Sequence, residues 1–181
     1  QFLTFWATEV LTGHWDGYAN NTNNFFAYHD PVSGVFKFMP WGTDGAMDPG
    51  NLPVGQPTSV FAKCALARRL YLLPSTQTQY IDRLKALLDS VWIESAMLAE
   101  IDRMETLITP IADPLGTLGL AAEIDTVRSF VTSRRAAIMT ELASGPPAWT
   151  APLPDPPCFD YVGSISGTFS TTWGTLGAAD P

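Results

Sequence analysis

The sequence predicts a mainly α-helical domain with one small β-hairpin, followed by a proline-rich linker and an incomplete β segment. Three observations support this. Apolar residues recur at helical spacing through most of residues 59–143. Two short aromatic-rich runs flank an Asp-Pro turn at residues 30–34. After residue 143 the sequence becomes rich in proline, and it then alternates β-branched or aromatic residues with small polar ones.

Composition narrows the classes of protein to consider. The chain has 181 residues, of which 46% are hydrophobic, which suffices for one packed domain. Its formal net charge is −8 and it shows no Lys/Arg cluster, so it lacks the basic footprint of a nucleic-acid-binding protein. Its apolar runs are short and interrupted, so we expect no membrane span.

The helices can be placed from apolar periodicity. "FLTFWATEVLTG" predicts a helix ending near Gly13, and the chain is predicted to turn helical from Ser59 onward. We expect Pro74, Pro110 and Pro114 between helices, where proline is best tolerated. The predicted apolar faces are Tyr80, Leu84, Leu87, Leu88 and Val91, then Met97, Ile101, Met104 and Ile108, then Ile124, Val127, Val131, Ile138 and Leu142.

The β elements come next. "FFAYHD" and "VFKFMPW" predict strands near 25–29 and 35–41, joined by the turn "DPVSG". Residues 42–57 are predicted to form a loop, 144–158 the linker, and 159–181 the first strands of an unfinished β domain. The aromatic residues expected in the core are Trp15, Phe25, Phe26, Phe36, Phe38 and Trp41.

Two further sets of residues have alternative interpretations. Cys64 is predicted to be a small buried apolar residue, and a disulfide with Cys158 is the alternative outside the cytosol. The arginines Arg68, Arg69, Arg134 and Arg135 are expected to pair with the acidic surface, with stabilisation of a catalytic loop as the alternative for Arg68.

Residues 14–45 carry the groups that phosphoryl transfer requires. That chemistry needs one carboxylate to orient the attacking hydroxyl, and a second carboxylate with an amide oxygen to hold magnesium against the phosphates. Here Asp16 follows the first helix, Asn24 precedes the first strand, and Asp44 follows the second strand. A hairpin brings its open ends together, so Asn24 and Asp44 are expected side by side. The alternatives are that both Asp residues only cap turns and that the Asn run is a solvated loop. His14 is expected to bond to a backbone carbonyl.

"HWDGYANNTNNFFAYHDP" followed by "FKFMPWGTD" resembles the spore-coat protein H (CotH) kinase family. The resemblance implies a kinase-like C-terminal lobe over residues 1–143, with Asp16 as the catalytic residue and Asp44 as the ligand of Mg²⁺ or Mn²⁺. Asn24 is the choice for the second metal and nucleotide contact. Asn21 is its rival, because it alone stands five residues after Asp16. Many family members have Asp where this chain has Gly42.

The resemblance also implies a function. Family members are atypical protein kinases that transfer the γ-phosphate of ATP to Ser or Thr of secreted, coat or envelope proteins, which implies an extracellular or envelope location. A Gly-rich loop with a following Lys is not found ahead of Asp16, and only 15 residues precede it. We therefore expect the N-terminal lobe to lie upstream, and this chain alone to be inactive. The alternative is a non-catalytic surface adhesin or coat protein that keeps the same scaffold.

Overall fold

The computed structural model describes residues 1–152 of the chain. The elements in this part are helix α1 (Phe2–Leu11), helix α2 (Tyr18–Asn21), strands β1 (Phe25–His29) and β2 (Phe36–Pro40), and helices α3 (Ala65–Tyr71), α4 (Pro74–Ser90), α5 (Glu94–Ala112) and α6 (Leu120–Leu142). The predicted fold, mainly α with one small hairpin, is confirmed.

Helix α1 is the centre of the core. Trp6, Ala7 and Val10 are fully buried, and α1 packs against α4, α2 and β2. The ring of Trp6 stacks on that of Tyr80 with 3.9 Å between centroids, while its indole N–H donates to the carbonyl of Phe61 at 2.7 Å. An aromatic residue so enclosed stabilises a fold by about 3–5 kcal/mol relative to alanine. The segment that leaves α1 therefore starts from a rigid support.

The hairpin joins β1 and β2 as an antiparallel pair in which Phe25 faces Pro40 and Ala27 faces Phe38. Its turn is closed by Asp30, whose carboxylate accepts from the backbone N–H of Val32 at 3.0 Å. The ring of Phe38 lies 4.9 Å from that of Phe2 in α1. One face of the hairpin is thus attached to the helical body.

The opposite face is exposed, which corrects the expectation that all the hairpin aromatics are core. On this face Phe26 and Trp41 are 55% and 60% exposed. Phe36 is 61% exposed although it shares a face with Phe38, since it lies at the turn end of the hairpin. The physical reason is that successive side chains of a strand point to opposite faces, and α1 covers only one face of this two-stranded sheet.

Two helix predictions are wrong. Ser59–Cys64 is not helical; Val60, Phe61 and Ala62 are fully buried in an irregular segment, and the backbone N–H of Lys63 donates to the carbonyl of Ala19 at 3.0 Å. Tertiary contacts here override helical periodicity. Pro110 lies inside α5 rather than between helices, close to its C-terminal end. A proline there removes the backbone hydrogen bond to the carbonyl four residues earlier, and the helix ends two residues later, at Ala112.

The arginines divide into two groups. Arg135 lies 3.1 Å from Asp89 and 3.5 Å from Glu94, so the predicted acidic pairing is confirmed for this residue. It is wrong for Arg134, which is buried and donates to the carbonyls of Leu11 at 3.1 Å, of Thr58 at 2.8 Å and of Val10. Burial lowers the pKa of Arg134 to about 10. A buried guanidinium can satisfy its donors with carbonyls as well as with acids. Arg68 donates to the carbonyl of Ala151, not to the loop that carries Asp16.

The beginning of the predicted linker packs on the helical body. Trp149 is buried, the hydroxyl of Tyr71 donates to the carbonyl of Pro147 at 2.8 Å, and the N–H of Thr150 donates to Gln56 at 2.9 Å. Cys64 is buried, as predicted. Cys158, the predicted disulfide partner, and the predicted β segment 159–181 lie outside the described residues. In the described part of the chain, no helix is both long and apolar enough to cross a membrane.

Candidate active site

The loop that carries Asp16 begins where α1 ends. Gly13 has φ +62, a left-handed conformation that glycine adopts without strain, and a Cβ there would stand 2.8 Å from the ring of Phe130. Arg134, one turn further along α6 and 5.1 Å over the ring of Phe130, binds the last carbonyls of α1. A positive charge at this end also complements the helix dipole. Contacts with α6 therefore fix the direction in which the chain leaves α1.

Asp16 is the acceptor of two amide side chains. Nδ2 of Asn21 donates to one carboxylate oxygen at 2.5 Å, and Nδ2 of Asn24 donates to the other at 2.6 Å. The assignment of nitrogen and oxygen follows this network, because a carboxylate only accepts. Both Asn residues named as rivals from the sequence thus contact the same Asp. Because both Nδ2 atoms donate to Asp16, the Oδ1 atoms of the two Asn residues do not take part in this contact.

Asn24 lies at the open end of the hairpin. Its carbonyl accepts from the N–H of Trp41 at 2.9 Å, which extends the strand pairing by one step. It has φ +47, a left-handed conformation that Asn adopts more readily than most residues. A Cβ built on Gly42 would stand 2.7 Å from Cγ of Asn24. The chain therefore needs glycine at position 42 to seat Asn24 as it does.

Asp44 lies on a short 3-10 turn, Thr43–Gly45, directly after the hairpin. The turn is held at both ends: Gly42 abuts Asn24, and a Cβ on Gly45 would stand 3.1 Å from Nε1 of Trp15, the neighbour of Asp16. The Asp44 side chain is exposed. The structure thus joins Asp16, Asn21 and Asn24 by direct contact, and it places the Asp44 turn between Asn24 and Trp15.

Glu9 is the functional candidate that sequence reasoning missed. It is 2% exposed, and its carboxylate accepts from the N–H groups of Tyr18 at 2.8 Å and Ala19 at 2.9 Å. Burial raises the pKa of Glu9 to about 7, although these two backbone hydrogen bonds act in the opposite direction. Its one signal in the sequence is an acidic residue within the otherwise apolar or neutral "FLTFWATEVL".

Two more side chains hold the loop. The amide of Asn20 donates to the carbonyl of Trp15 at 2.7 Å. His14 is buried, and its Nε2 lies 3.1 Å from the carbonyl of Trp41, so the predicted bond to a backbone carbonyl is confirmed. His14 therefore ties the loop to the end of β2.

A cleft of about 460 Å³ lies between α1, β2 and the turn that carries Asp44. Phe5, Thr8, Phe38 and Met47 contribute to its walls, which are mostly apolar. It adjoins the candidate site from the side of α1, so the Asp44 turn has open space on one side.

The polar groups of the site fit a magnesium ion held together with phosphates. Carboxylate and amide oxygens are the ligands that Mg²⁺ prefers, and it is commonly bound by one or two carboxylates with substrate phosphates and water. Asp44 and the free Oδ1 of Asn24 offer this set. Among residues 1–152, no group of three or more His, Cys, Asp or Glu side chains is placed to hold a metal ion, so a complete cage is not built from such residues in this part of the chain.

The family model described as "CotH kinase protein" matches residues 1–138. The chain belongs to the CotH kinase family. The match runs from α1 into α6 and includes Asp16, Asn21, Asn24 and Asp44. No curated protein matches the chain. Membership in the CotH kinase family confirms the resemblance that residues 14–44 show.

Proposed function

We propose that the protein is a kinase that transfers the γ-phosphate of ATP to a Ser or Thr hydroxyl of a protein substrate. The observation that carries this proposal is the Asp16 carboxylate, fixed by Asn21 and Asn24 beside the Asp44 turn. Phosphoryl transfer depends on positioning and charge stabilisation more than on covalent chemistry by the protein. A rigid carboxylate next to a second, exposed one is suited to that task.

Asp16 is the group proposed to meet the acceptor. Two amide donors hold its carboxylate in one orientation, so its remaining lone pairs have a defined direction. A hydroxyl that donates to Asp16 is oriented toward the phosphate and can pass its proton to the carboxylate as the new bond forms. Asn21 and Asn24 thereby act first as positioning residues for Asp16.

Asp44 and Asn24 are the residues proposed to hold Mg²⁺ or Mn²⁺ with the nucleotide. A divalent cation bound by Asp44 and Asn24 would neutralise the negative charges of the phosphates. Gly42 stands where many family members have Asp, so this chain offers one carboxylate fewer. The contact between Gly42 and Asn24 supports Asn24 as the compensating oxygen ligand, because the glycine lets that side chain approach.

The exposed aromatic face of the hairpin is proposed to receive the nucleobase. The rings of Phe26 and Trp41 lie 5.8 Å apart, and Trp41 pairs with Asn24 through its backbone. Stacking of a base on an aromatic side chain is worth about 1–3 kcal/mol. The base and the phosphates would thus lie on neighbouring parts of one edge of the hairpin.

The substrate and the location follow from the family alone. A secreted, coat or envelope protein with accessible Ser or Thr is the proposed acceptor, and the proposed location is extracellular or in the cell envelope. The acidic chain, with net charge −8, favours an acceptor segment that carries basic residues.

The test compares three variants of the full-length protein. We expect Asp44→Ala to abolish phosphate transfer and Asp16→Ala to lower kcat by about 10²–10⁴-fold while nucleotide affinity is nearly kept. Asp48→Asn is the matched control, since this nearby acid accepts from Gly50 at 2.8 Å within its own loop. Transfer of labelled phosphate and calorimetric Mg-ATP binding are the measurements. Normal turnover by Asp44→Ala would reject the mechanism.

A non-catalytic surface or coat protein is the second candidate. The small number of acidic ligands favours it, since the described residues hold no cluster of three acidic or other metal-binding side chains. In that case the full-length protein would bind Mg-ATP no better than its Asp44→Ala variant, and calorimetry on the pair separates the two functions.

A further inference from the structure

We propose that Glu9 is a positioning residue of the catalytic loop, which it holds from inside α1 through the backbone on both sides of Asp16. This inference rests on the proposed function, because it concerns the loop that carries Asp16. It assigns a role to a buried acid that the direct chemistry of phosphate transfer does not use.

The loop is closed on Glu9 at both ends. The carbonyl of Glu9 accepts from the N–H of His14 at 2.8 Å, two residues before Asp16. Its carboxylate accepts from the N–H groups of Tyr18 and Ala19, just after Asp16. One residue therefore fixes the start and the end of the segment His14–Ala19, and Asp16 lies in the middle.

Gly17 makes this closure possible. A Cβ at position 17 would stand 2.5 Å from Oε1 of Glu9 and 2.8 Å from the ring of His14. A side chain at this position would push the loop away from α1 and would move Asp16 with it. The glycine after Asp16 is thus explained by the approach of the backbone to Glu9.

A buried carboxylate is an unusual choice for a structural contact. Removing an ionised acid from water costs free energy unless partners compensate, and the partners of Glu9 among the described residues are backbone amides rather than a Lys or Arg side chain. Charge-assisted hydrogen bonds are roughly twice as strong as neutral ones, so the ionised form holds the loop more firmly than a neutral group would.

The protonation state of Glu9 should therefore affect the loop near neutral pH. Burial raises its pKa to about 7, so both forms are populated there. The titratable groups that face it are His14 of the loop, Tyr18 of α2 and Cys64 before α3, while Arg134 of α6 binds the neighbouring carbonyls of α1. Burial raises the pKa of Tyr18 and of Cys64, so neither is ionised near pH 7.

A second glutamate in the chain offers a matched control for Glu9. Glu141 on α6 accepts from two consecutive backbone N–H groups, those of Thr58 at 2.7 Å and Ser59 at 2.8 Å. The chemistry is the same, but the held segment does not carry Asp16. Glu141→Gln therefore reports the structural cost of losing a carboxylate anchor without removing a direct contact to the loop that carries Asp16.

In the full-length protein we expect Glu9→Gln to lower kcat by about 10–100-fold and to change KM for ATP by less than about twofold, because Asp16 meets the acceptor and not the nucleotide. In the wild type, kcat should fall as the pH drops through about 7, because Glu9 becomes protonated. This fall should be absent in Glu9→Gln and present in Glu141→Gln. An unchanged fall in Glu9→Gln, or equal losses of kcat in both variants, would overturn the proposal.

A second measurement is independent of activity. In the chain of residues 1–181, the ¹⁵N amide signals of Tyr18 and Ala19 should titrate together near pH 7. This needs no variant, so it holds even if Glu9→Gln fails to fold. Absence of that titration would overturn the role of Glu9 itself, whereas titration in a protein without phosphate transfer would reject only the proposed kinase function.

Discussion

At the scale of single residues, Gly42 shows how one position sets the composition of the site. It has φ +57 and abuts the side chain of Asn24, which in turn donates to Asp16. An Asp at this position would bring a carboxylate but would displace the amide. A side chain at position 42 and the present placement of the Asn24 amide therefore exclude each other sterically.

This exclusion can be measured by comparing Gly42→Ala with Gly34→Ala. Both glycines have φ near +60, but a Cβ on Gly34 has nothing within 4 Å. Each variant should lose about 1–2 kcal/mol from the left-handed backbone. Gly42→Ala should lose roughly 1–3 kcal/mol more, because Asn24 must move. Urea unfolding of both variants is the measurement, and equal losses would show that Asn24 moves at no cost.

The positions of Asp16, the proposed catalytic residue, and of its partners can be predicted from residue types and order. The sequence indicates Asp16 and Asn24 from their order relative to the first helix and strand, and Asn21 from its spacing of five residues after Asp16. The structure brings all three together. Glu9 could not be found in this way, because its role depends on a loop that returns to α1, and the sequence contains no local signature of that return. Arg134 was misassigned for the same reason: its carbonyl partners are more than 70 residues away in the sequence.

At the scale of elements, the hairpin has one covered face and one exposed face. The type and position of the strands can be predicted from the aromatic-rich runs and the Asp-Pro turn, since both signals are local. Which face is covered was not readable, because aromatic residues occupy both. The exposed face is the one that carries Phe26, next to the residues proposed to hold the nucleotide.

The difference between the faces predicts different costs of truncation. Phe38 packs on Phe2 and Phe5 with ring separations of 4.9 and 5.6 Å, so Phe38→Ala should destabilise the chain by about 2 kcal/mol. Phe26→Ala should cost less than about 0.5 kcal/mol, since its side chain is mostly exposed.

The two variants should show the reverse order in nucleotide binding. In the full-length protein Phe26→Ala should weaken Mg-ATP binding by about 1–3 kcal/mol if the base stacks there. Thermal unfolding and calorimetry on the same samples give both quantities. A Phe26→Ala protein with unchanged affinity would place the base elsewhere.

At the scale of the whole molecule, long-range contacts determine the structure of segments that local sequence patterns do not predict. Helical periodicity extends back to Ser59, yet residues 60–62 form a buried irregular segment that contacts α1. The indole N–H of Trp6 donates to the carbonyl of Phe61. Trp149, from the proline-rich stretch, is buried near Phe61 with rings 6.5 Å apart. Neither contact has a sequence signature, because each depends on residues that meet only when the helices have assembled.

The raised pKa of Glu9 makes the stability of the whole chain depend on pH. A carboxyl group that has a pKa of about 7 when folded and about 4.5 when unfolded binds more protons in the folded state between these values. Its stabilising contribution is therefore complete below about pH 4.5 and is lost as the pH rises through 7. The full effect is on the order of 3 kcal/mol. At neutral pH, ionisation of Glu9 therefore lowers the stability of the folded chain, while the ionised carboxylate holds the loop that carries Asp16.

The corresponding measurement is the free energy of unfolding at pH 5.0 and 7.5 for the wild-type chain and for Glu9→Gln. We expect the wild type to lose about 2–3 kcal/mol more than the variant over this range, since glutamine does not titrate. Asp113, whose pKa is lowered by bonds from Leu118, Thr117 and Leu120, titrates below this window and does not contribute. Parallel pH profiles of the two proteins would show that Glu9 ionises as readily in the folded chain as in water, and the loop would then be held at no cost in stability.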